Sequence, residues 1–89
     1  MNLEDVERRI KRAISEGNAV IGLNETMRMA KLGKANLLVV SNNCPKKDEL
    51  MYYAKLSNIT VFVYPGTNID LGALCRRPHS VSALAIKEE

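Results

Sequence analysis

Apolar positions along this chain of 89 residues recur with two different spacings, and the alternation between them predicts the secondary structure. Near the N-terminus Leu3, Val6 and Ile10 lie three and four positions apart, which is the stripe of an amphipathic helix. Asn2 can cap the start of this helix, and Gly17 can end it. The first predicted element is therefore a helix that packs one face against a core.

Short apolar runs alternate with helical patterns along the rest of the chain. The runs that predict strands are "NAVIG", "ANLLVVS", "TVFVY" and "SVSALAI". Between them a second helix begins at Asn24 and stops at Gly33, and a third has Pro45 in its first turn. A fourth helix begins with a capping box of Thr67 and Asp70. The alternation predicts an α/β fold with one sheet covered by helices on both faces, and spacing alone favours an all-parallel sheet.

The length and composition predict one domain over residues 1–89. The longest purely aliphatic run, Leu37–Val40, is far shorter than the roughly 18 residues that cross a bilayer, so no membrane contact is expected. The N-terminus "MNLEDVERRI" is unlike a signal peptide, which favours the cytoplasm. Cys44 and Cys75 are isolated and predict two reduced thiols rather than a disulfide or a metal site.

Groups for catalysis are scarce in this sequence. His79 is the one histidine, and no Ser or Cys motif places a nucleophile beside it. No P-loop or GxGxxG follows the first strand, so neither a cofactor nor a metal is predicted. The chain is therefore not expected to be an enzyme. Its net charge of +3, from 13 basic and 10 acidic residues, permits an anionic partner without requiring one.

The start of the second helix gathers polar residues on one face. Asn24, Arg28 and Lys31 stand at positions i, i+4 and i+7, and Glu25 lies at the edge of that face. Each residue has an ordinary explanation, as a helix cap, a first-turn acid or half of an ion pair. Together they can read RNA, with Asn24 and Glu25 on base edges and the cations on phosphates. Gly22 leaves room for another backbone to approach.

Four stretches carry a resemblance to a known family. They are "GNAVIG", "AKLGKANLLVVSNNCP", "YYAKLSNITVFVYPGTNIDLG" and "RPHSVSALAI". They resemble the archaeal and eukaryotic ribosomal proteins called "L thirty e", within the wider "L seven Ae" type of kink-turn RNA binders. The resemblance implies a three-layer α/β/α sandwich around a four-stranded mixed sheet. It also implies a structural protein of the large ribosomal subunit that binds ribosomal RNA at a kink-turn or similar purine-rich internal loop.

The resemblance also implies roles for particular residues. Asn24, Glu25 and Arg28 match the motif Asn-Glu-x-x-Lys of the wider group, which contacts tandem sheared G·A pairs. The arginine keeps the charge of that lysine but changes the geometry of its donors. The Asn-Glu pair is more typical of the wider group than of the ribosomal family. Asn43 falls in the loop after the central strand, which also faces the RNA.

A second loop takes part in RNA binding according to the same resemblance. Arg77, Pro78 and His79 are assigned to the loop that faces a flipped-out or stacked base. The ribosomal family usually has glycine where this chain has Arg76. If that glycine takes a positive φ, Arg76 must use another cap or accept strain of order 1 kcal/mol.

The interpretation that these observations favour is a ribosomal RNA-binding protein with neighbouring ribosomal proteins, monomeric when free. The predicted RNA-binding residues are Gly22, Asn24, Glu25, Arg28, Lys31, Asn43, Arg77, Pro78 and His79. One alternative is a kink-turn-binding protein of another ribonucleoprotein, such as a guide-RNA or RNA-processing particle. Another is a protein-binding adaptor on the same scaffold, which a strongly acidic surface would favour, whereas this chain is basic.

Overall fold

Four helices and four strands alternate along residues 2–87, which the computed structural model describes. In chain order they are α1 (Leu3–Glu16), β1 (Ala19–Ile21), α2 (Leu23–Leu32), β2 (Leu37–Val40), α3 (Lys47–Leu56), β3 (Thr60–Val63), α4 (Asn68–Leu74) and β4 (Ala83–Ile86). Every element predicted from the apolar pattern is present. No helix within residues 2–87 is long and apolar enough to cross a membrane.

The sheet is mixed, with its strands in the order β1-β4-β2-β3. β2 and β3 are parallel, whereas β4 lies between β1 and β2 and is antiparallel to both. The topology expected from the resemblance is therefore confirmed, and the all-parallel sheet that spacing favoured is wrong. The hydrophobic pattern, with the lengths of the runs, indicates where the strands lie but carries no information on the direction in which each strand enters the sheet.

The two inner strands, β4 and β2, are fully buried and contribute side chains to a hydrophobic core on each face of the sheet. Leu38 and Val40 of β2 pack into the cluster that holds the buried faces of α2 and α3. Leu37 and Val39 point the other way, into the cluster of α1 and α4. This alternation places one pair of helices on each side and confirms the predicted α/β/α sandwich.

Two helices begin at residues other than those expected. α2 begins at Leu23 with Gly22 as its N-cap, so Asn24 is already the second helical residue. α3 begins at Lys47, and Pro45 lies in the turn that precedes it. The predicted caps of the other two helices are confirmed by the Asn2 side chain on α1 and the capping box on α4.

All four helices of the described chain end with a residue in the left-handed conformation. These residues are Gly17, Gly33, Asn58 and Arg76. At the end of α4, the amide of Arg76 donates to Ala73 and the amide of Arg77 donates to Gly72, both over 3.0 Å. This is the Schellman motif, which satisfies the last helical carbonyls. Arg76, at φ 58°, therefore accepts the conformation that glycine adopts more easily.

Candidate nucleic-acid interface

The loops that carry the predicted site meet at one end of the sheet. The amide of Gly22, just after β1, donates to the carbonyl of Ala83 over 3.0 Å. The amide of Ser41, just after β2, donates to Ser82 over 2.8 Å. The start of α2, the loop after β2 and the loop before β4 are thus held beside one another by backbone hydrogen bonds.

Gly22 joins β1 to α2 in a conformation that requires glycine. Its φ is 125° and its ψ is 148°, which side chains rarely allow. Its carbonyl accepts from the amide of Thr26 over 3.0 Å and from the Thr26 hydroxyl over 2.6 Å, which fixes the first turn of α2. An added Cβ would meet nothing within 4 Å. The backbone angle therefore requires glycine here, and the space beside it is open.

Asn24 is exposed on the first turn of α2 and does not cap the helix. Gly22 is the N-cap, and no side chain hydrogen-bonds to this cap. Within residues 2–87 the side-chain amide of Asn24 makes no hydrogen bond. Its N–H donors and its oxygen acceptor are therefore available to a ligand. The explanation of Asn24 as a helix cap is therefore wrong.

Glu25 and Arg28 form the ion pair that the sequence allowed. Glu25 Oε1 lies 3.8 Å from Arg28 Nη1, and the two side chains are 58% and 71% exposed. Exposed pairs of this kind contribute little, roughly 0–1 kcal/mol, because water competes for both partners. The pair can therefore open at small cost when a ligand offers better partners to either side chain.

A groove of about 440 Å³ runs between α2 and α3. Asn24, Arg28 and Lys31 line it from α2, so the three residues share one face as their spacing predicts. Lys46 and Glu49 line it from the start of α3, and we call this feature the α2–α3 groove. Lys46 is a candidate that sequence reasoning missed. The only signal for it was the adjacent pair of lysines after Pro45.

Asn43 lies in the expected loop, but its side chain is engaged within the protein. Its Oδ1 accepts from the Ser41 hydroxyl and from the Asn68 amide, each over 2.9 Å, and its Nδ2 donates to Asn68 Oδ1 over 3.2 Å. The Asn68 carbonyl in turn accepts from the amide of Val81 over 2.9 Å. Asn43 therefore joins the loop after β2 to the start of α4, and through it to the loop before β4.

Arg77, Pro78 and His79 are all exposed in the loop between α4 and β4. When Nδ1 of His79 carries the proton, it can donate to the Ser80 carbonyl, 3.3 Å away. The backbone of this loop packs closely on α4. The carbonyl oxygen of His79 lies so near Gly72 that a Cβ at residue 72 would collide with it. The loop rests on α4, in the helix layer opposite to that of α2, and it leads into β4 at the end of the sheet where α2 begins.

The two cysteines are free and buried on opposite faces of the sheet. Cys44 belongs to the cluster of α2 and α3, and Cys75 belongs to the cluster of α1 and α4. Burial raises the pKa of both thiols above the ordinary value of 9.0. Neither supplies a thiolate at neutral pH, which fits the prediction of two reduced structural thiols.

The fold has close counterparts among solved structures. A 15.5kD RNA binding protein of Giardia lamblia superposes with a TM-score of 0.81 over 100% of this chain and 78% of its own. A protein of unknown function from Bacillus halodurans superposes with a TM-score of 0.80 over 92% of this chain and 83% of its own. Both are 18% identical in sequence, so they support the fold alone.

Sequence relatives are more informative. The large ribosomal subunit protein eL30 of Methanopyrus kandleri is 43% identical over 89 residues, which cover 98% of this chain and 82% of that protein. Its counterpart in Methanothermobacter thermautotrophicus is 41% identical over 86 residues, which cover 94% of this chain and 88% of that protein. Both relatives are named as ribosomal proteins, which agrees with the prediction from the sequence that this chain is not an enzyme.

The family described as ribosomal protein L7Ae/L30e/S12e/Gadd45 matches residues 4–89, nearly the whole chain. The match agrees with the resemblance carried by the stretches around Gly22, Pro45, Gly66 and His79. The mixed sheet and the two helix layers agree with it as well. The chain belongs to the ribosomal protein L7Ae/L30e/S12e/Gadd45 family.

Proposed function

We propose that this chain is a structural protein of the large ribosomal subunit in the cytoplasm. It binds ribosomal RNA at a kink-turn or a similar purine-rich internal loop, next to other ribosomal proteins. The observation that carries the proposal is the exposed side-chain amide of Asn24, which has no hydrogen-bond partner among residues 2–87 and stands on the first turn of α2 beside the open backbone of Gly22. The names of the archaeal relatives, large ribosomal subunit proteins, support the ribosomal location.

The start of α2 offers the chemistry that purine pairs require. Asn24 can donate to and accept from a base edge, and Glu25 can accept from an exocyclic amino group. The positive end of the helix dipole and its free amides attract a phosphate. Arg28 can release Glu25 to bind that phosphate, since their pair is exposed and weak. Tandem sheared G·A pairs, the motif implied by the resemblance, present such edges.

The loop of residues 77–79 supplies the second part of the proposed site. An unstacked base can lie on the guanidinium of Arg77 or on the imidazole of His79, and such stacking contributes about 1–3 kcal/mol per base. Pro78 stiffens the loop, and the packing of the His79 backbone against Gly72 limits the entropy lost on binding. Asn43 acts mainly by holding this cluster of loops together, with one amide hydrogen left for RNA.

Two RNA duplexes that differ only in the kink test the proposal. One carries a kink-turn with tandem sheared G·A pairs, and the other replaces these pairs with Watson–Crick pairs. We expect the kinked duplex to bind at least tenfold more tightly, because Asn24 and Glu25 each supply a base-edge contact of about 1–3 kcal/mol and 1.4 kcal/mol is a factor of ten. Equal affinities for the two duplexes would contradict the proposed function.

A second candidate is a kink-turn protein of another ribonucleoprotein. The Asn24-Glu25 pair favours it, since the resemblance makes that pair more typical of the wider group. The two candidates differ in the particle that holds the protein. In sucrose-gradient fractions of the source cells, the ribosomal function predicts that the protein sediments with large subunits. Sedimentation with lighter particles alone would favour the second candidate.

A further inference from the structure

Lys46 occupies a place that does not favour its own helix. It is the N-cap residue of α3, with φ −117° and ψ 33°, and no side chain hydrogen-bonds to this cap. A cation there faces the positive end of the helix dipole, which is unfavourable. Asp48 and Glu49 in the first turn are the residues that suit this position. The stability of α3 therefore gives no reason for a lysine at residue 46.

Lys46 also differs from the other cations of the α2–α3 groove. Arg28 is paired with Glu25, and the ammonium of Lys31 lies 5.1 Å from the centre of the Tyr53 ring, a cation–π contact. Within residues 2–87 Lys46 is exposed and makes no ion pair, although it shares the groove with Glu49. It is the groove cation that is free to bind an anion without breaking a contact.

We propose that Lys46 binds a phosphate of the RNA, and that the α2–α3 groove carries the sugar-phosphate backbone of one RNA strand. The inference rests on the proposed function and extends its site from α2 to α3. The groove has a net positive charge, because its three cations outnumber the carboxylates of Glu49 and of Glu25, the partner of Arg28. Asn24 and Lys46 line the same groove from opposite helices, so a strand whose bases meet Asn24 can lay its phosphates along the side that Lys46 lines.

The salt dependence of RNA binding tests whether Lys46 contacts a phosphate. A phosphate held by one lysine releases about one counterion, so the slope of log affinity against log salt changes by about 0.7–0.9 when that lysine is lost. We expect Lys46→Ala to make the slope for kink-turn RNA shallower by this amount. Lys55→Ala is the matched control, because it removes the same charge from the exposed last turn of the same helix. Its slope should equal that of the unsubstituted chain.

Lys46→Arg completes the design because it keeps the charge. Lys46→Arg should therefore retain the salt slope of the unsubstituted chain. Lys46→Ala should retain the fold, because no cap hydrogen bond is lost. An unchanged slope in Lys46→Ala, or an equal change in Lys55→Ala, would overturn the inference. Equal binding of kinked and unkinked duplexes by the unsubstituted chain would instead overturn the proposed function, so the two failures are distinguishable.

Discussion

The amide of Gly22 donates to the carbonyl of Ala83 over 3.0 Å, and this bond sets the start of α2 beside the entry of the chain into β4. Two stretches that are far apart in sequence, the first turn of α2 and the segment that follows the loop of residues 77–79, thereby meet at the same end of the sheet. β4 makes this possible because it lies between β1 and β2. The proposed RNA site depends on that topology.

Asn24→Ala and Glu25→Ala should each weaken binding of kink-turn RNA by about 1–3 kcal/mol, the loss for a good base-edge contact. The free energy of unfolding should change by no more than about 0.5 kcal/mol, because neither residue caps the helix. Titration of RNA and chemical denaturation measure the two quantities.

Asn2→Ala is the control for these variants. Asn2 does cap a helix, since its side chain accepts from the amide of Asp5 over 2.8 Å. Its loss should lower the free energy of unfolding by about 0.5–2 kcal/mol and leave RNA binding unchanged. If Asn24→Ala behaved like Asn2→Ala, Asn24 would be a structural residue and the site would lose its main contact.

Asn43→Ala should lower the free energy of unfolding by more than it lowers the free energy of RNA binding. The substitution leaves the Asn68 amide and the Ser41 hydroxyl without their acceptor, which should cost about 1–3 kcal/mol of unfolding free energy. Asn42→Ala is the neighbouring control, because Asn42 donates a single exposed side-chain bond of 3.3 Å to Pro65. Similar denaturation curves for the two variants would show that Asn43 does not hold the loops together.

Local sequence signals predicted most of the fold. Asn2, Gly17 and the pair of Thr67 and Asp70 act at helix ends as expected, because capping depends on residues a few positions apart. The direction of β4 depends on hydrogen bonds to strands far away in sequence, and no local pattern encodes them. The mixed sheet was therefore predicted from the resemblance to the family and not from the local pattern.

The candidate site was predicted in part. The helical spacing of Asn24, Arg28 and Lys31 gave their common face, because a helix fixes which residues lie together. Lys46 was missed, since its place opposite α2 depends on the packing of two helices. The engagement of Asn43 with Asn68 was missed as well, because it joins loops separated by a whole helix and strand.

Arg76→Gly should stabilise the protein by up to about 1 kcal/mol. Arg76 has a φ of 58°, a left-handed conformation that costs most residues roughly 1–2 kcal/mol and glycine almost nothing, although glycine loses part of this gain through its freer unfolded chain. Thermal and chemical denaturation measure the change. Arg77→Gly, next to it and without a positive φ, should be neutral or destabilising. A gain in Arg77→Gly equal to that in Arg76→Gly would contradict relief of strain.

His79→Ala should weaken binding only to RNA that carries an unstacked base. Loss of one stacking contact should cost about 1–3 kcal/mol for such RNA and close to nothing when the base is deleted. His79→Phe keeps an aromatic surface and should bind almost normally. Equal losses for both RNAs in His79→Ala would indicate a phosphate or structural role for His79 instead of stacking.

Mapping of backbone amide chemical shifts during titration with kink-turn RNA tests the central claim most directly. We expect the largest changes at Gly22, Asn24 and Arg28 and, in the same titration, at Arg77 and His79, which flank a proline without an amide hydrogen, because both stretches contact one RNA molecule. The amides of α1 and of Lys55 should change little. Changes confined to α1, or changes at α2 with none at residues 77–79, would contradict a single RNA surface at this end of the sheet.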